Sequence, residues 1–343
     1  MVHRPLRLRL DSDALVSNWR WLKSQGGTAA CGAAVKADGY GLGAREVVAR
    51  LAAAGCRDFF VSTWAEAEAL MPWADELTLS VLHGASAADM AAARPLPARP
   101  VLNSAEQMAR WRGHGPCDVM IDSGMNRLGL KPEEATSGLL DGLEIATLMS
   151  HLASADEDRE SNARQRAAFI DAAALVPAKR LSLANSAGVC LGSDYAFDLT
   201  RPGLALYGGI PRAEAEGRIA QVVQVEAQIV QRRRVEAGDS VGYNATFTAR
   251  QNHELAILNI GYADGYLRGF SGTGQVRIGD LFVPVVGRVS MDLTAICVDA
   301  APQLAEGDWV ELDFRLPEAS AQSGLSQYEL LTTLGSRFER VWT

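Results

Sequence analysis

The chain has 343 residues, 48% of them hydrophobic and 22% charged, enough for a sizeable core in one large domain or two ordinary ones. Its formal charge of -8, with no long run of either sign, leaves no basic face for a nucleic acid. Five cysteines, Cys31, Cys56, Cys117, Cys190 and Cys297, form no CxxC pair and are odd in number, so neither a disulfide framework nor a zinc site fits.

The opening "MVHRPLRLRLDSDAL" has no apolar h-region, and no window approaches ~18 consecutive apolar residues, so a signal peptide and a membrane span are not expected. A cytoplasmic protein is the expectation. From residue 29 to 208, short apolar runs alternate with helical patterns. The runs are "AACGAAVK" (29–36), "DFFVST" (58–63), "LTLSVLHG" (77–84), "RPVLNS" (99–104), "CDVMIDSG" (117–124), "EIATLMSHLA" (144–153), "KRLSLANS" (179–186) and "FDLTRPGLALYG" (197–208). Segments such as "GAREVVARLAAAG" and "SAEQMARWRG" between them carry apolar residues at helical spacing. Continuous apolar runs suit strands buried on both faces. Eight such units predict an α/β fold of the (β/α)8 TIM-type barrel class over residues 1–218; a doubly wound sheet is the alternative. Beyond 218, "VVQVEAQIVQ", "HELAILNI", "GQVRIGD", "LFVPVVG", "LTAICVD" and "DWVELDF" predict a mostly β domain over 219–343. The only long helical pattern in this part is "QYELLTTLGSRFERV". "QRRRVEAG" (231–238) reads as a solvated strand end.

Catalytic groups of such a barrel sit at the carboxyl ends of its strands. Those ends carry Lys36, His83, Asn103, Asp122, Arg127, His151, Asn185, Ser186 and Arg201. Any one of them is unremarkable alone, a histidine there being most often a satisfied structural residue. Together they describe a cationic, hydrogen-bonding mouth suited to an anion. Lys36, in "GAAVKADGYGLGA", follows an apolar run; burial lowers the pKa of such an amine, and a neutral amine can form a Schiff base with an aldehyde. Pyridoxal phosphate is the cofactor that uses such a lysine. "ANSAG" supplies a serine hydroxyl and N–H groups at a helix start for a phosphate, and "RPGLALYGG" a glycine beside Arg201 for close backbone approach.

These motifs resemble the bacterial alanine racemase family. The resemblance runs over nearly the whole chain, through "AVKADGYGLG", "IDSGMNRLGL", "MSHLASADE", "LANSAG", "RPGLALYGG", "NIGYADGYLR", "GRVSMDLTAI" and "QYEL" in the family's order. It implies a barrel followed by a β domain, and a homodimer whose sites are built from both chains. It further implies interconversion of L- and D-alanine with pyridoxal 5'-phosphate, supplying D-alanine for peptidoglycan. By the same resemblance, Lys36 carries the cofactor and is one catalytic base, and Tyr262, donated by the partner subunit, is the other. Tyr40, Ser186 and Tyr328 bind the phosphate with the backbone around Gly203 and Leu204, beside Asn185. Arg201 faces the pyridine nitrogen next to His151. Arg127 and the backbone of Met291 receive the substrate carboxylate, while Tyr266 is read as packing. One position departs from a common family pattern: Met120 stands where many members carry a carbamylated lysine that supports the arginine. The other readings are a serine or broad-spectrum racemase, a barrel-type decarboxylase and a cofactor carrier without turnover. "GYADGY" and an arginine rather than an acid facing the ring nitrogen speak against the decarboxylase. The β domain speaks against the carrier.

Overall fold

In a computed structural model that describes residues 3–136 and 138–343, the chain divides into two units. One is Leu15–Ala220; the other joins the segment ending at Ala14 to Gln221–Thr343. The apolar-run pattern predicts residues 1–218 together in the barrel. The N-terminal segment instead belongs with the β-rich unit, because strand Leu6–Leu10 pairs antiparallel with Val223–Val235 and parallel with Glu339–Trp342.

In Leu15–Ala220, seven parallel strands follow one another in chain order: Ala33–Ala34, Asp58–Val61, Thr78–Val81, Arg99–Leu102, Pro116–Met120, Glu144–Met149 and Arg180–Ser182. The eighth, Leu199–Thr200, pairs with Ala30–Cys31, and the Arg201 N–H donates to Ala184 O (2.8 Å). The sheet therefore closes on itself as a barrel, which removes its edges. Closure happens around Gly32, between the two halves of the first strand. A Cβ there would lie 2.8 Å from Asp58 O on one side and 3.2 Å from Thr200 O on the other. Side chains from alternate strands meet in the interior, as barrel layers require. The Ser80 hydroxyl on the third strand donates to Asp118 on the fifth (2.6 Å).

The other unit is an eight-stranded sheet in which Val223–Val235 is the organising element. Its first part pairs with Leu6–Leu10 and Trp309–Leu312, and its second part, past an irregularity at Ile229/Gln231, with His253–Leu258. Leu6, Leu8 and Leu10 are buried while Arg7 and Arg9 between them are not, the alternation of a strand with one covered face. Arg7 is held by Glu226 (2.5 Å) and lies over the Trp309 ring (4.3 Å). The long helical pattern expected near the end is shorter than "QYELLTTLGSRFERV": the helix is Gln327–Thr332, and "ERVW" is the strand paired with Leu6–Leu10. Sheet pairing outweighs helical spacing there. No helix among the described residues is long and apolar enough to cross a membrane.

Replacing Gly32 by alanine is expected to destabilise the protein by about 1–3 kcal/mol, the usual range for forcing atoms into a packed interior. Chemical denaturation of the two proteins side by side measures it.

Candidate active site

Lys36 opens a turn of unusual hand. Ala37, Asp38, Gly39 and Tyr40 all have positive φ (53°, 52°, 62° and 55°). A non-glycine residue in this region costs roughly 1–2 kcal/mol, so three of them persist only if surrounding bonds hold them. The turn closes on itself through Gly41 N–H to Ala37 O and Gly43 N–H to Asp38 O, both 2.8 Å. The Asp38 carboxylate accepts from Ala44 N–H (2.8 Å) and so starts helix Ala44–Ala54. From the first turn of helix Trp64–Ala69, which follows the neighbouring strand, the Glu66 carboxylate accepts from Ala37 N–H (2.7 Å), Ser62 N–H (2.6 Å) and Thr63 N–H (3.1 Å). Glu66 thus ties the lysine turn to the second βα junction. It was absent from the sequence-derived site, although Thr63 and Glu66 have the spacing of a capping box, which they form. What the spacing alone does not show is the second carboxylate oxygen reaching Ala37.

Around this turn the expected residues of the barrel unit converge. The Tyr40 ring stacks on Tyr207 (centroids 4.6 Å apart), whose hydroxyl donates to Ala34 O (2.8 Å). The Tyr40 hydroxyl lies so close over Gly203 that a Cβ there would collide with it. Ser186 Oγ accepts from Gly203 N–H (2.9 Å) and Ala205 N–H (3.2 Å), which leaves its proton for another acceptor. Leu204 begins the single turn Leu204–Tyr207 that orients these amides. Asn185 caps the short helix Ser186–Cys190 by accepting from Gly188 N–H (2.8 Å). Two hydroxyls and a close backbone approach form a cradle that fits a phosphate.

The electrostatics follow from crowding basic groups. Burial lowers the pKa of Lys36; the Arg127 charge lowers it further, while Glu66 opposes the shift. His151 is depressed to about 3, by burial first and then by Arg201, Arg127 and Lys36. It is therefore a neutral imidazole. Arg201 is buried; desolvation lowers it to about 10, the Asp118 carboxylate below offsets part of that, and it remains a cation. Its guanidinium donates to Ser182 Oγ and to Ser150 O (2.5 Å). Arg127 is exposed and has no ion pair among the described residues, and Met120, buried nearby in sequence, supplies no charge to it. Asp122 spends one oxygen on the N–H groups of Gly124, Met125 and Asn126 (2.8–3.0 Å), shaping the loop that leads to Arg127. Asn103 donates to Leu82 O and Val101 O, and His83 faces Asp89 at 3.6 Å, so both serve local structure.

The remaining expected residues lie in the β-rich unit. Tyr262 heads the turn Tyr262–Asp264, half-buried, with Arg268 over its ring (5.1 Å). Its N–H donates to Ser290 O and that of Ala263 to Met291 O, both 3.0 Å. Gly261 makes this crossing possible, since a Cβ there would strike the carbonyls of Ser290 and Met291. Tyr262 and Met291 are thereby neighbours, and Met291 is 53% exposed. Buried Asp264 fixes the turn through a two-pronged pair with Arg337 (2.6 and 2.7 Å). Tyr266 is buried against Phe270 with centroids 4.3 Å apart, as expected of a packing residue. Tyr328 is 46% exposed on helix Gln327–Thr332.

A strand-end lysine with a weakened charge, a phosphate-sized cradle and a buried arginine beside a neutral histidine fit the class of barrel enzymes that use an aldehyde cofactor. A family model for the alanine racemase N-terminal domain matches residues 10–211, and one for the C-terminal domain matches 222–342. The chain is 41% identical to the alanine racemase of Methylobacterium nodulans, covering 97% of this chain and 95% of that one. It is also 41% identical to the catabolic alanine racemase of Agrobacterium fabrum, with 97% and 91% covered. The crystal structure of alanine racemase from Bartonella henselae with covalently bound pyridoxal phosphate matches with a TM-score of 0.92 at 35% identity, covering 99% of this chain and 100% of that one. The chain belongs to the alanine racemase family. Its reaction is the racemisation of alanine, and its cofactor is pyridoxal phosphate.

Two outcomes follow from this geometry. Glu66→Gln, which removes the charge and one acceptor from the three amides that Glu66 gathers, is expected to lower stability by about 1–3 kcal/mol. Denaturation reads that loss, and titration with pyridoxal phosphate reads the accompanying loss of incorporation at Lys36. The second outcome concerns pH. His151 binds its proton more readily unfolded, near the usual 6.5, than folded, near 3. The unfolded state then holds more protons, so stability falls as pH drops from about 6.5 towards 3. His151→Gln should flatten that part of the stability–pH curve relative to the native chain.

Proposed function

We propose that racemisation here uses two bases, Lys36 on one face of the substrate Cα and Tyr262 on the other, within a homodimer that brings Tyr262 to the partner's site. The observation that carries this reading is the environment of Lys36. Desolvation and the Arg127 charge weaken its protonated form, so the amine can both carry the cofactor and move a proton. Tyr262 supports the second half. Its turn is rigidly seated by Asp264 and Gly261, and its hydroxyl makes no hydrogen bond among the described residues. The exposed apolar side chains Met291 and Leu293 beside that turn favour a covered surface there.

Tyr40 and Ser186, helped by the backbone around Gly203 and Leu204, would hold the phosphate, with Ser186 Oγ positioned by the Gly203 and Ala205 N–H groups, and Arg201 would donate to the ring nitrogen. Bound there, pyridoxal phosphate would draw electrons from the amino acid's Cα and make its proton acidic. Arg201 cannot lend the ring a proton at neutral pH, because it remains charged and holds its protons. Neutral His151 beside it adds no competing charge. Arg127, uncommitted to any carboxylate of the described residues, would bind the carboxylate of alanine, joined by the N–H of the partner subunit's Met291. A base on each face matters because a single rigid base returns the proton to the side it left. Each base is worth roughly 10²–10⁴-fold.

Borohydride reduction and peptide mapping should place the cofactor on Lys36; a label on another lysine overturns the assignment. Tyr262→Phe should reduce racemisation on the order of 10²-fold or more while the cofactor's visible absorbance is retained. Mixing Lys36→Ala with Tyr262→Phe chains should restore activity, since one heterodimer site is intact. No recovery with heterodimers present would put both bases on one chain.

A further inference from the structure

The β-rich unit contains a second group of chemically able side chains, unrelated to the racemase site residues. His253 begins strand His253–Leu258, Cys297 ends strand Thr294–Cys297, and Asp299 follows two residues later. The two strands are antiparallel neighbours with Leu255 opposite Cys297. This pairing gathers one nitrogen, one sulfur and one carboxylate oxygen within 4.8 Å of one another. His253 Nδ1 is 3.6 Å from Cys297 Sγ and 2.6 Å from Asp299 Oδ2. Asp299 is steadied by its other oxygen, which accepts from Glu254 N–H (2.6 Å). Beneath lies an apolar cluster of Val235, Ala249, Leu255 and Val286, with Phe247 and Cys297 packed on it. The carboxylate side is open, Asp299 being 39% exposed against 17% for His253.

We propose that His253, Cys297 and Asp299 form a binding site for one zinc-class divalent ion, with water as the fourth ligand on the open side. The spacing is the argument. With metal–sulfur bonds of about 2.3 Å and metal–nitrogen bonds of about 2.0 Å, tetrahedral angles put the two donors about 3.5 Å apart. The observed nitrogen–sulfur distance of 3.6 Å already has that value. The carboxylate needs to withdraw by about 0.8 Å, from hydrogen-bond spacing to the ~3.4 Å edge of the same tetrahedron. One imidazole, one thiolate and one carboxylate make a borderline donor set that suits zinc over magnesium or calcium. The apolar floor limits water to one side. Protons balance simply. The thiol proton leaves to solvent, and the imidazole proton shared with Asp299 moves from Nδ1 to Nε2, freeing the Nδ1 lone pair. Nothing in the linear sequence signals this, because two ligands come from one strand end and the third from its neighbour across the sheet.

The test uses the full-length holoenzyme after dialysis against chelator, titrated with cobalt(II) as a spectroscopic stand-in for zinc. One cobalt per chain is expected, with a thiolate-to-cobalt charge-transfer band in the difference spectrum that zinc abolishes by competition. Cys297→Ser should remove the band and weaken binding at least tenfold. His253→Gln should weaken binding to a similar degree, and it serves if the serine variant does not fold by circular dichroism. Absence of the band, or a band and affinity unchanged in either folded variant, overturns the site.

Discussion

Everything at the site depends on a backbone turn that L-residues avoid. Ala37, Asp38 and Tyr40 sit with glycine in left-handed geometry directly after the lysine. They stay there because Glu66, Asp38 and the closing amide bonds of Gly41 and Gly43 oppose relaxation. Without the turn, Tyr40 would not lie over Gly203, and Lys36 would not share a space with Arg127 and His151. The strain is thus the means by which one strand end presents an amine and, four residues on, a hydroxyl that lies over Gly203.

The same compactness sets the electrostatics. Arg201, Arg127 and Lys36 all weaken the proton affinity of His151, and Arg127 weakens that of Lys36. Histidine, the weakest base, yields first and stays neutral. Arginine does not yield, and the carboxylate of Asp118 in the barrel interior shares in keeping it charged. Asp118 and Glu66 are acids outside the expected site, yet each favours the charged form of a residue within it.

Much of this was legible in the chain itself. Continuous apolar runs marked all eight barrel strands, and among the polar residues ending them Lys36, Arg127, His151 and Arg201 lie near enough to act on one another's charge. Hydropathy could not distinguish a strand-end polar group that faces the mouth from one spent locally, which is why Asn103, Asp122 and His83 were gathered with the rest. Glu66 was hidden because its capping box has a complete local explanation. The N-terminal segment was assigned by proximity in sequence, although "LRLRL" has the strict period of a half-covered strand rather than the unbroken apolar pattern of the barrel. The pairing of "ERVW" with it is a long-range event that no local pattern encodes.

That pairing has a bearing on how the chain is made. Leu6–Leu10 is synthesised well before its two strand partners, Val223–Val235 and Glu339–Trp342. Leu15–Ala220 can close its barrel while synthesis continues, since all eight of its strands are by then available. The leucine face of the first strand, at roughly 1.5–3 kcal/mol of burial per side chain, has no home during that interval. At about 5–20 residues per second, more than ten seconds separate the first strand from its second partner. Alternating arginines keep this waiting segment soluble: the charges that ladder with Glu226 in the finished sheet act earlier as guards against premature strand pairing.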